Sequence, residues 1–273
     1  MHPILFSLGS FPIGTYGLLL TAGFFLALLL AQRLGRQQGL APEAISDLAI
    51  TLLLAGVVGS KLLMILVDLL NGVSFRQVFD LGYLRAGGAI HGGIIGALLA
   101  FFWRVRRLRL PFAKTLDCLT PALALGQAVG RLGCFSAGCC YGTASTLPWA
   151  VTFTDPNAQL LSGTPLAVPL HPVQLYTFLA NLLVMGILLL MWRHRRYPGQ
   201  LAGCYFILEG LGRMVTEHWR GDLDRGFLMG VPWLSTGRLT SSLFILFGCG
   251  LLVWFARAGR AAKPTDRPTE VHA

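Results

Sequence analysis

Residues 173–196 read VQLYTFLANLLVMGILLLMWRHRR, twenty residues without an acidic or basic side chain followed at once by a basic cluster. About 20 apolar residues in a helix are enough to cross the hydrocarbon core of a bilayer. Six further apolar segments occur along the chain, so we predict an all-α fold, a polytopic membrane helical bundle of about seven transmembrane helices. The predicted spans are 15–34, 47–70, 88–103, 112–135, 173–192, 201–219 and 236–255.

The composition supports a membrane protein with no separate soluble domain. Hydrophobic residues make up 54% of the chain and charged residues 12%, about half the charge of a soluble domain. We predict a single transmembrane domain at 1–256, with an extracytoplasmic cap loop at 141–172 and a disordered cytoplasmic tail at 257–273. The proline-rich character of the cap segment and the polar character of the tail are the basis of these boundaries.

The orientation follows from the positions of lysine and arginine. Fourteen of them fall in the first, third and fifth connections and in the tail, and four in the alternate connections. Cytoplasmic loops carry the basic excess, so the N-terminus is predicted outside and the C-terminus in the cytoplasm. The same bias accounts for the net charge of +10, and we therefore expect no nucleic-acid partner.

Ionisable residues within membrane spans are costly unless they are paired or face a cavity, and they often mark function. Glu209, Arg213 and Glu217 lie on one face of the sixth predicted span, and Arg220 follows at the same helical spacing. Both a structural ion network and a functional site explain this pattern equally well.

Four more polar residues have a structural explanation beside a functional one. Arg131 could snorkel to the interface, and Tyr16 could belong to an interfacial aromatic belt. His91 lies among glycines that could serve helix packing alone, and His171 could simply open the fifth span with the proline that follows it.

The predicted orientation places Tyr16, His91, Arg131 and His171 together at the outer leaflet. Arg131 lies about 29 Å from the cytoplasmic start of its helix, and Arg213 about 18 Å from that of its own. Two arginines and two histidines at similar depth suit an anionic headgroup together with proton transfer. The shared depth therefore favours a functional site over five separate structural explanations.

Several motifs along the chain resemble the phosphatidylglycerol–prolipoprotein diacylglyceryl transferase family, in the same order and over nearly the whole length. They are 6–9 (FSLG) with 16–18 (YGL), 91–96 (HGGIIG), 130–135 (GRLGCF) with Gly142, 171–176 (HPVQLY), and Arg213 with Glu217 and Arg220.

The resemblance implies transfer of diacylglyceryl from phosphatidylglycerol to the lipobox cysteine of a prolipoprotein signal peptide. The site would face the outer leaflet of the bacterial cytoplasmic (inner) membrane, with membrane lipid as a further partner. Arg131 and Arg213 would hold the lipid phosphate, and His91 and Tyr16 would be essential near the reacting centre. The resemblance also places Gly142, His171, Glu217 and Arg220 in the substrate-binding site. It requires no metal and no cofactor.

The chain departs from the family pattern inside these motifs. The family usually has asparagine where Cys134 stands, a small polar residue at Ala137, glutamate at Cys139, and glutamate at Thr177. The changes at Cys134 and Cys139 remove an amide and a carboxylate from the expected site, so the hydrogen-bond network around Arg131 and the acceptor are expected to differ from those of the family.

Three alternatives stay open. The chain could be a diverged transferase with another lipid or thiol acceptor, or an anion or lipid transporter whose arginine face lines a pathway. It could also be a thiol redox protein using Cys134, Cys139 and Cys140 beside His91. The cysteine spacing matches no recognised pattern, so the sequence predicts neither a zinc site nor a disulfide framework.

Overall fold

The computed structural model describes residues 3–8, 11–80, 83, 87–222 and 235–261 of the chain. Most of the predicted tail, 262–273, and Gly9 of the first motif lie outside the described residues. The described part is mainly helical, as predicted.

The described residues form eight α-helices and two short antiparallel strand pairs. The helices are α1 (Thr15–Gln37), α2 (Pro42–Leu70), α3 (Ile90–Arg107), α4 (Phe112–Ala137), α5 (Pro156–Ser162), α6 (Val173–Trp192), α7 (Gln200–Thr216) and α8 (Thr236–Ala261). The strands are β1 (Ile4–Leu8) with β2 (Phe11–Gly14) and β3 (Val151–Thr152) with β4 (Pro169–Leu170). Single turns of 3-10 helix occupy Gln77–Phe79 and Glu217–Trp219.

A helix lies at each of the seven predicted segments, and four of them are long and apolar enough to cross a membrane. These four are Thr15–Gln37, Pro42–Leu70, Val173–Trp192 and Thr236–Gly259. Their surfaces are apolar: Leu62 on α2 is 61% exposed and Leu190 on α6 is 75% exposed. Leucines exposed along whole helices suit a lipid environment rather than water, so the prediction of a helical membrane protein is confirmed.

The chain divides into two compact units. The large unit comprises Met1–Ala31 and Leu116–Ala273, and the small unit comprises Gln32–Thr115. Helices α1 and α4 each cross from one unit into the other along their own length. Each unit has its own helix contacts, which position the residues of interest.

Glycines bring α2 and α3 into close contact in the small unit. A methyl group on Gly59 would overlap the Gly92 carbonyl oxygen, and one on Gly96 would lie 3.3 Å from Gly59 Cα. Small residues let helix backbones approach to this extent. The glycine-rich motif that contains His91 therefore packs α3 against α2.

The large unit contains two further close helix contacts at glycines. A Cβ on Gly23 of α1 would lie 3.1 Å from the Gly126 carbonyl oxygen of α4. A Cβ on Gly203 of α7 would lie 3.0 Å from the Gly248 carbonyl oxygen of α8. These contacts set α1 against α4, and α7 against α8.

A buried carboxylate of α4 holds the N-terminus of α7. Asp117 has no exposed surface. Its Oδ1 accepts hydrogen bonds from the backbone N–H groups of Leu201 (3.0 Å) and Ala202 (3.2 Å), and its Oδ2 accepts one from Gly199 (2.8 Å). The first N–H groups of a helix have no partner within the helix and carry partial positive charge. Asp117 therefore anchors α7, the helix that carries Arg213, to α4, the helix that carries Arg131.

The predicted cap segment has a small core of its own. The side chains of Tyr141, Phe153 and Leu170 are buried together. Helix α5 begins after Asp155, whose side chain accepts a hydrogen bond from the Asn157 N–H at 2.9 Å. The segment from 141 to 172 is thus ordered structure. At the other end of the chain, α8 extends to Ala261, into the predicted tail.

Candidate functional site

Gly142 and Thr143 follow α4 and join the start of α6 to the end of α7; we call this segment the strap. Gly142 forms an antiparallel bridge with Arg220. The Thr143 N–H donates to the Trp219 carbonyl oxygen at 2.9 Å, and the His171 N–H donates to the Thr143 carbonyl oxygen at 2.9 Å. Backbone hydrogen bonds therefore fix three motif residues, Gly142, His171 and Arg220, relative to one another.

The strap requires glycine at position 142 for space. A Cβ there would overlap the His171 carbonyl oxygen, and it would lie 2.6 Å from His171 Cβ and 2.8 Å from Val173 Cγ2. Any side chain would push the strap away from the start of α6. The glycine predicted as a site residue therefore acts by allowing this approach.

Aromatic residues hold the imidazole of His171. Its Nδ1 lies 3.3 Å from the hydroxyl oxygen of Tyr176, and that oxygen accepts a hydrogen bond from Trp149 Nε1 at 2.8 Å. The Tyr176 hydroxyl proton can therefore be donated to Nδ1. The ring centroid of Trp219 lies 6.3 Å from that of His171. His171 thus has an oriented ring as well as the helix-entry position that the sequence suggested.

Glu217 is the buried centre of a charge cluster. The residue is 2% exposed, and its Oε2 lies 3.3 Å from Arg213 Nη2 and 3.9 Å from Arg220 Nη1. The Ser235 hydroxyl donates to its Oε1 at 2.9 Å. The two ion pairs join residues three and four positions apart, in keeping with the helical spacing of these charges.

Arg220 has a second acidic partner. It forms a bidentate pair with Asp222, with a distance of 2.8 Å from Nε to Oδ1. Burial lowers the pKa of Arg220, but the hydrogen bond and charge of Asp222 outweigh burial and raise it. Arg220 is therefore neutralised within the protein.

Arg131 differs from the other two arginines. Within the described residues, no carboxylate oxygen lies within 4.0 Å of its guanidinium. Arg131 and Arg213 both interact electrostatically with Glu209, and they repel each other. The two arginines therefore face a common region around Glu209, in which Arg213 is paired with Glu217 and Arg131 has no ion pair within 4.0 Å among the described residues.

Tyr16 stands beside Arg131. A Cβ on Gly133, two residues beyond Arg131, would lie 3.1 Å from Tyr16 Cδ2, so the tyrosine packs directly on α4. Tyr16 is 42% exposed and interacts electrostatically with Arg131. Its position combines the interfacial setting expected of a belt residue with proximity to the arginine.

The predicted site residues thus fall into two groups. The large unit contains all of them except His91, which begins α3 in the small unit and has an exposed side chain. The residues that the large unit contains are Tyr16, Arg131, Gly142, His171, Arg213, Glu217 and Arg220.

Three cysteines lie at the end of α4, close to Arg131. The sulfur atoms of Cys134, Cys139 and Cys140 all lie within 4.8 Å of one another, and we call them the cysteine trio. Hydrogen bonds from Cys134 and Cys139 lower the pKa of the Cys140 thiol, and the charges of Arg131 and Arg220 add to this effect. The hydrogen bonds that Cys139 makes within the trio raise the pKa of its own thiol.

Sequence reasoning missed two supports of this site. Asp222, the partner of Arg220, belongs to none of the motifs. Its position two residues after Arg220 is the signal in the sequence that could have indicated this ion pair. Gln174 occurs in the HPVQLY motif without an assigned role. It is buried, and its Nε2 donates to the Cys139 carbonyl oxygen at 2.9 Å.

Known proteins with similar sequences belong to one family. Residues 3–254 match the family model of prolipoprotein diacylglyceryl transferases. The phosphatidylglycerol–prolipoprotein diacylglyceryl transferase of Clostridium tetani is 35% identical over 91% of this chain and 95% of its own length. Those of Gloeobacter violaceus (34%, 93% of each chain) and Photobacterium profundum (30%, 94% of each chain) are also similar. The chain belongs to the prolipoprotein diacylglyceryl transferase family.

Proposed function

We propose that this protein transfers the diacylglyceryl group of phosphatidylglycerol to the lipobox cysteine of a prolipoprotein signal peptide. The acceptor sulfur forms a bond to a glyceryl carbon, and the bond from that carbon to the phosphate oxygen breaks. The products are a thioether-linked lipid and glycerol phosphate. This is the first step of lipoprotein maturation, and family membership and the names of the relatives support it.

The observation that carries the proposal is the unequal pairing of two neighbouring arginines. A phosphodiester has one negative charge, and a guanidinium can bind two of its oxygens at once. Arg131 has no close counter-ion among the described residues, so it is available to the lipid phosphate. Arg213, which is held by its ion pair with Glu217, provides a second guanidinium that faces the same region.

The other residues have supporting roles in this proposal. Tyr16 lies beside Arg131 and contacts the lipid near the reacting carbon. His91 takes the proton of the acceptor thiol, because a neutral imidazole nitrogen can act as a general base toward a positioned thiol. The strap and the Glu217 cluster keep Gly142, His171 and Arg220 in place around the substrates.

The proposal includes the membrane arrangement. All seven long helices cross the inner membrane with the N-terminus outside, residues 1–256 act as one membrane domain, and the site faces the outer leaflet. Helix α7, the shortest of the seven with 17 residues, has a length of about 26 Å, close to the hydrocarbon thickness. The fourteen-to-four distribution of basic residues supports the orientation.

The test uses purified protein with phosphatidylglycerol and a lipobox peptide, and it reads the peptide mass. The expected product carries one diacylglyceryl group. Lysine retains charge but lacks the planar fork of donors, so Arg131→Lys and Arg213→Lys are each expected to lower transfer at least tenfold. Arg106→Lys, at the exposed end of α3, is the matched control and should transfer normally.

The arginine assignment would be wrong if both site variants transferred at near-normal rates. A lipid or anion flux without a covalent product would instead favour the transporter alternative. The second candidate function, a diverged transferase, is favoured by Cys134, Ala137 and Cys139, which replace the usual residues beside Arg131. It predicts a lipidated product only with another phospholipid donor or another thiol acceptor in the same assay.

A further inference from the structure

The cysteine trio has the geometry of a metal site. Cys134 lies in the last turns of α4, and Cys139 and Cys140 follow just after the helix ends. All three are free thiols. Zinc binds thiolate sulfur at about 2.3 Å in tetrahedral sites, which places the sulfurs about 3.8 Å apart. The trio, with sulfurs within 4.8 Å of one another, needs only small side-chain rotations to reach that spacing.

The backbone that presents the trio is held in an unusual form. Cys140 has φ = 57°, and Gly138 has φ = 84°. A positive φ is uncommon for a residue with a side chain. The turn through Gly138 and Cys140 brings Cys139 and Cys140 back toward Cys134 at the end of α4.

Two buried side chains fix this turn. The Thr164 hydroxyl donates to the Gly138 carbonyl oxygen at 3.1 Å, and Gln174 Nε2 donates to the Cys139 carbonyl oxygen at 2.9 Å. Gln174 Oε1 is buried and has no hydrogen-bond partner among the described residues. The two hydrogen bonds hold the backbone carbonyl groups that directly precede Cys139 and Cys140, so the positions of these two residues are fixed.

The charges around the trio favour an anionic complex. Arg131 and Arg220 both interact electrostatically with Cys140. Three thiolates and one divalent ion carry a net charge of −1, which nearby guanidinium groups stabilise. Thiolate ligands select soft ions such as zinc over magnesium or calcium.

We propose that Cys134, Cys139 and Cys140 bind one zinc ion whose fourth position takes the thiolate of the acceptor cysteine. This rests on the function proposed above. Three protein ligands and one open position are typical of zinc sites that act on a substrate. The three protein thiols release their protons to solvent on binding zinc, and the acceptor thiol transfers its proton to the base of the proposed reaction as its sulfur binds; the bound sulfur is then the nucleophile that the transfer requires.

The test uses the full-length protein, reduced and freed of metal, with cobalt(II) as a spectroscopic substitute for zinc. We expect one cobalt per chain, absorption bands of a four-coordinate ion, a charge-transfer band with the intensity of three thiolates, and displacement by zinc. A lipobox peptide should raise that intensity by about one third, as a fourth thiolate joins. The same peptide with serine in place of cysteine should leave it unchanged.

Variants separate the trio from other cysteines. Cys134→Ser, Cys139→Ser and Cys140→Ser should each weaken cobalt and zinc binding at least tenfold. Cys249→Ser, at an exposed position of α8, is the matched control and should bind as the unmodified protein does. Absence of one-to-one binding by the reduced protein, or equal loss in the control, would overturn the site.

The outcomes also distinguish this proposal from the proposed function. Undiminished transfer by protein kept free of metal with a chelator would refute the binding of the acceptor thiolate to zinc as a step of the reaction and leave the transferase function intact. Cobalt binding as expected, without any lipid transfer by the zinc-loaded protein, would refute the function and leave the metal site. A disulfide within the trio, with no metal binding after reduction, would replace the metal site with a redox pair.

Discussion

Replacement by alanine should destabilise the protein at Gly142 and stabilise it at Gly130. Gly142→Ala places a methyl group over the His171 carbonyl oxygen, 2.6 Å from its Cβ and 2.8 Å from Val173 Cγ2. Inserting a methyl group into a packed site typically destabilises by about 1–3 kcal/mol. Gly130→Ala meets nothing closer than Leu20 Cδ1 at 3.9 Å. Alanine in a helix is more stable than glycine by about 0.5–1 kcal/mol.

The predicted difference between the two variants is therefore about 1.5–4 kcal/mol, the sum of these opposite effects. Lipid transfer should distinguish them as well. In Gly142→Ala the strap must move to relieve the overlap. Because residue 142 is bridged to Arg220, Arg220 moves with it, and transfer should fall at least tenfold. Gly130→Ala should retain transfer within about twofold.

The assay is thermal unfolding in detergent together with the peptide-mass assay on the same preparations. Gly186→Ala, on α6 with open space around the glycine, is a second control and should resemble Gly130→Ala. Equal stability and equal transfer for the variants at 130 and 142 would refute the steric account of Gly142.

Three further predictions follow from other parts of the molecule. Asp117→Ala leaves three backbone N–H groups at the start of α7 without their acceptor and should destabilise by about 3–5 kcal/mol, whereas Asp155→Ala, which removes an ordinary cap, should cost about 1 kcal/mol; equal melting temperatures would contradict this. A reporter enzyme active only in the periplasm, fused after residue 273, should give no signal, and strong activity would reverse the proposed orientation. The Tyr83 hydroxyl donates to Asp68 Oδ2 at 2.6 Å, which raises the pKa of Tyr83 to about 12. The stabilisation from this contact is thus complete below pH about 10 and is lost as the pH rises toward 12; an ultraviolet difference titration against Tyr83→Phe that shows ionisation near pH 10 would contradict it.

The sequence predicted the helices well because lipid imposes a simple requirement. A backbone in hydrocarbon must satisfy its own hydrogen bonds, so a long apolar run is almost always a helix. Segments 112–135 and 173–192 match the observed helices to within two residues. The short strands β1 to β4 and helix α5 were not predicted, because they depend on local turns and on the small core of the cap.

The charged side of the site was also partly predictable. A separation of three or four residues along a helix places side chains on one face, which gave the contacts of Glu217 with Arg213 and Arg220. Ser235 and Asp222 lie outside that helix, and helical spacing carries no information about them. The placement of His91 relative to the arginines stays a prediction.

The cysteine trio was the least predictable feature. Its spacing, four residues between the first pair and none between the second, matches no familiar ligand pattern, and the sequence predicted no metal. The sulfurs meet because the chain turns back through Gly138 and Cys140 at positive φ, with Gln174 holding the turn from another helix. A contact made by such a turn depends on residues distant in sequence.

The unequal pairing of Arg131 and Arg213 has a consequence for the rate of transfer. In phosphatidylglycerol the phosphate is a diester with one negative charge, and the departing glycerol phosphate develops a second charge as the carbon–oxygen bond breaks. A donor that interacts more strongly with the developing charge than with the substrate raises kcat rather than lowering KM. Among the described residues, Arg131 has no carboxylate oxygen within 4.0 Å and interacts with Glu209 only at longer range, whereas Arg213 forms a direct ion pair with Glu217 as well. Lysine at position 131 should therefore act mainly on kcat, and lysine at position 213 on both kcat and KM.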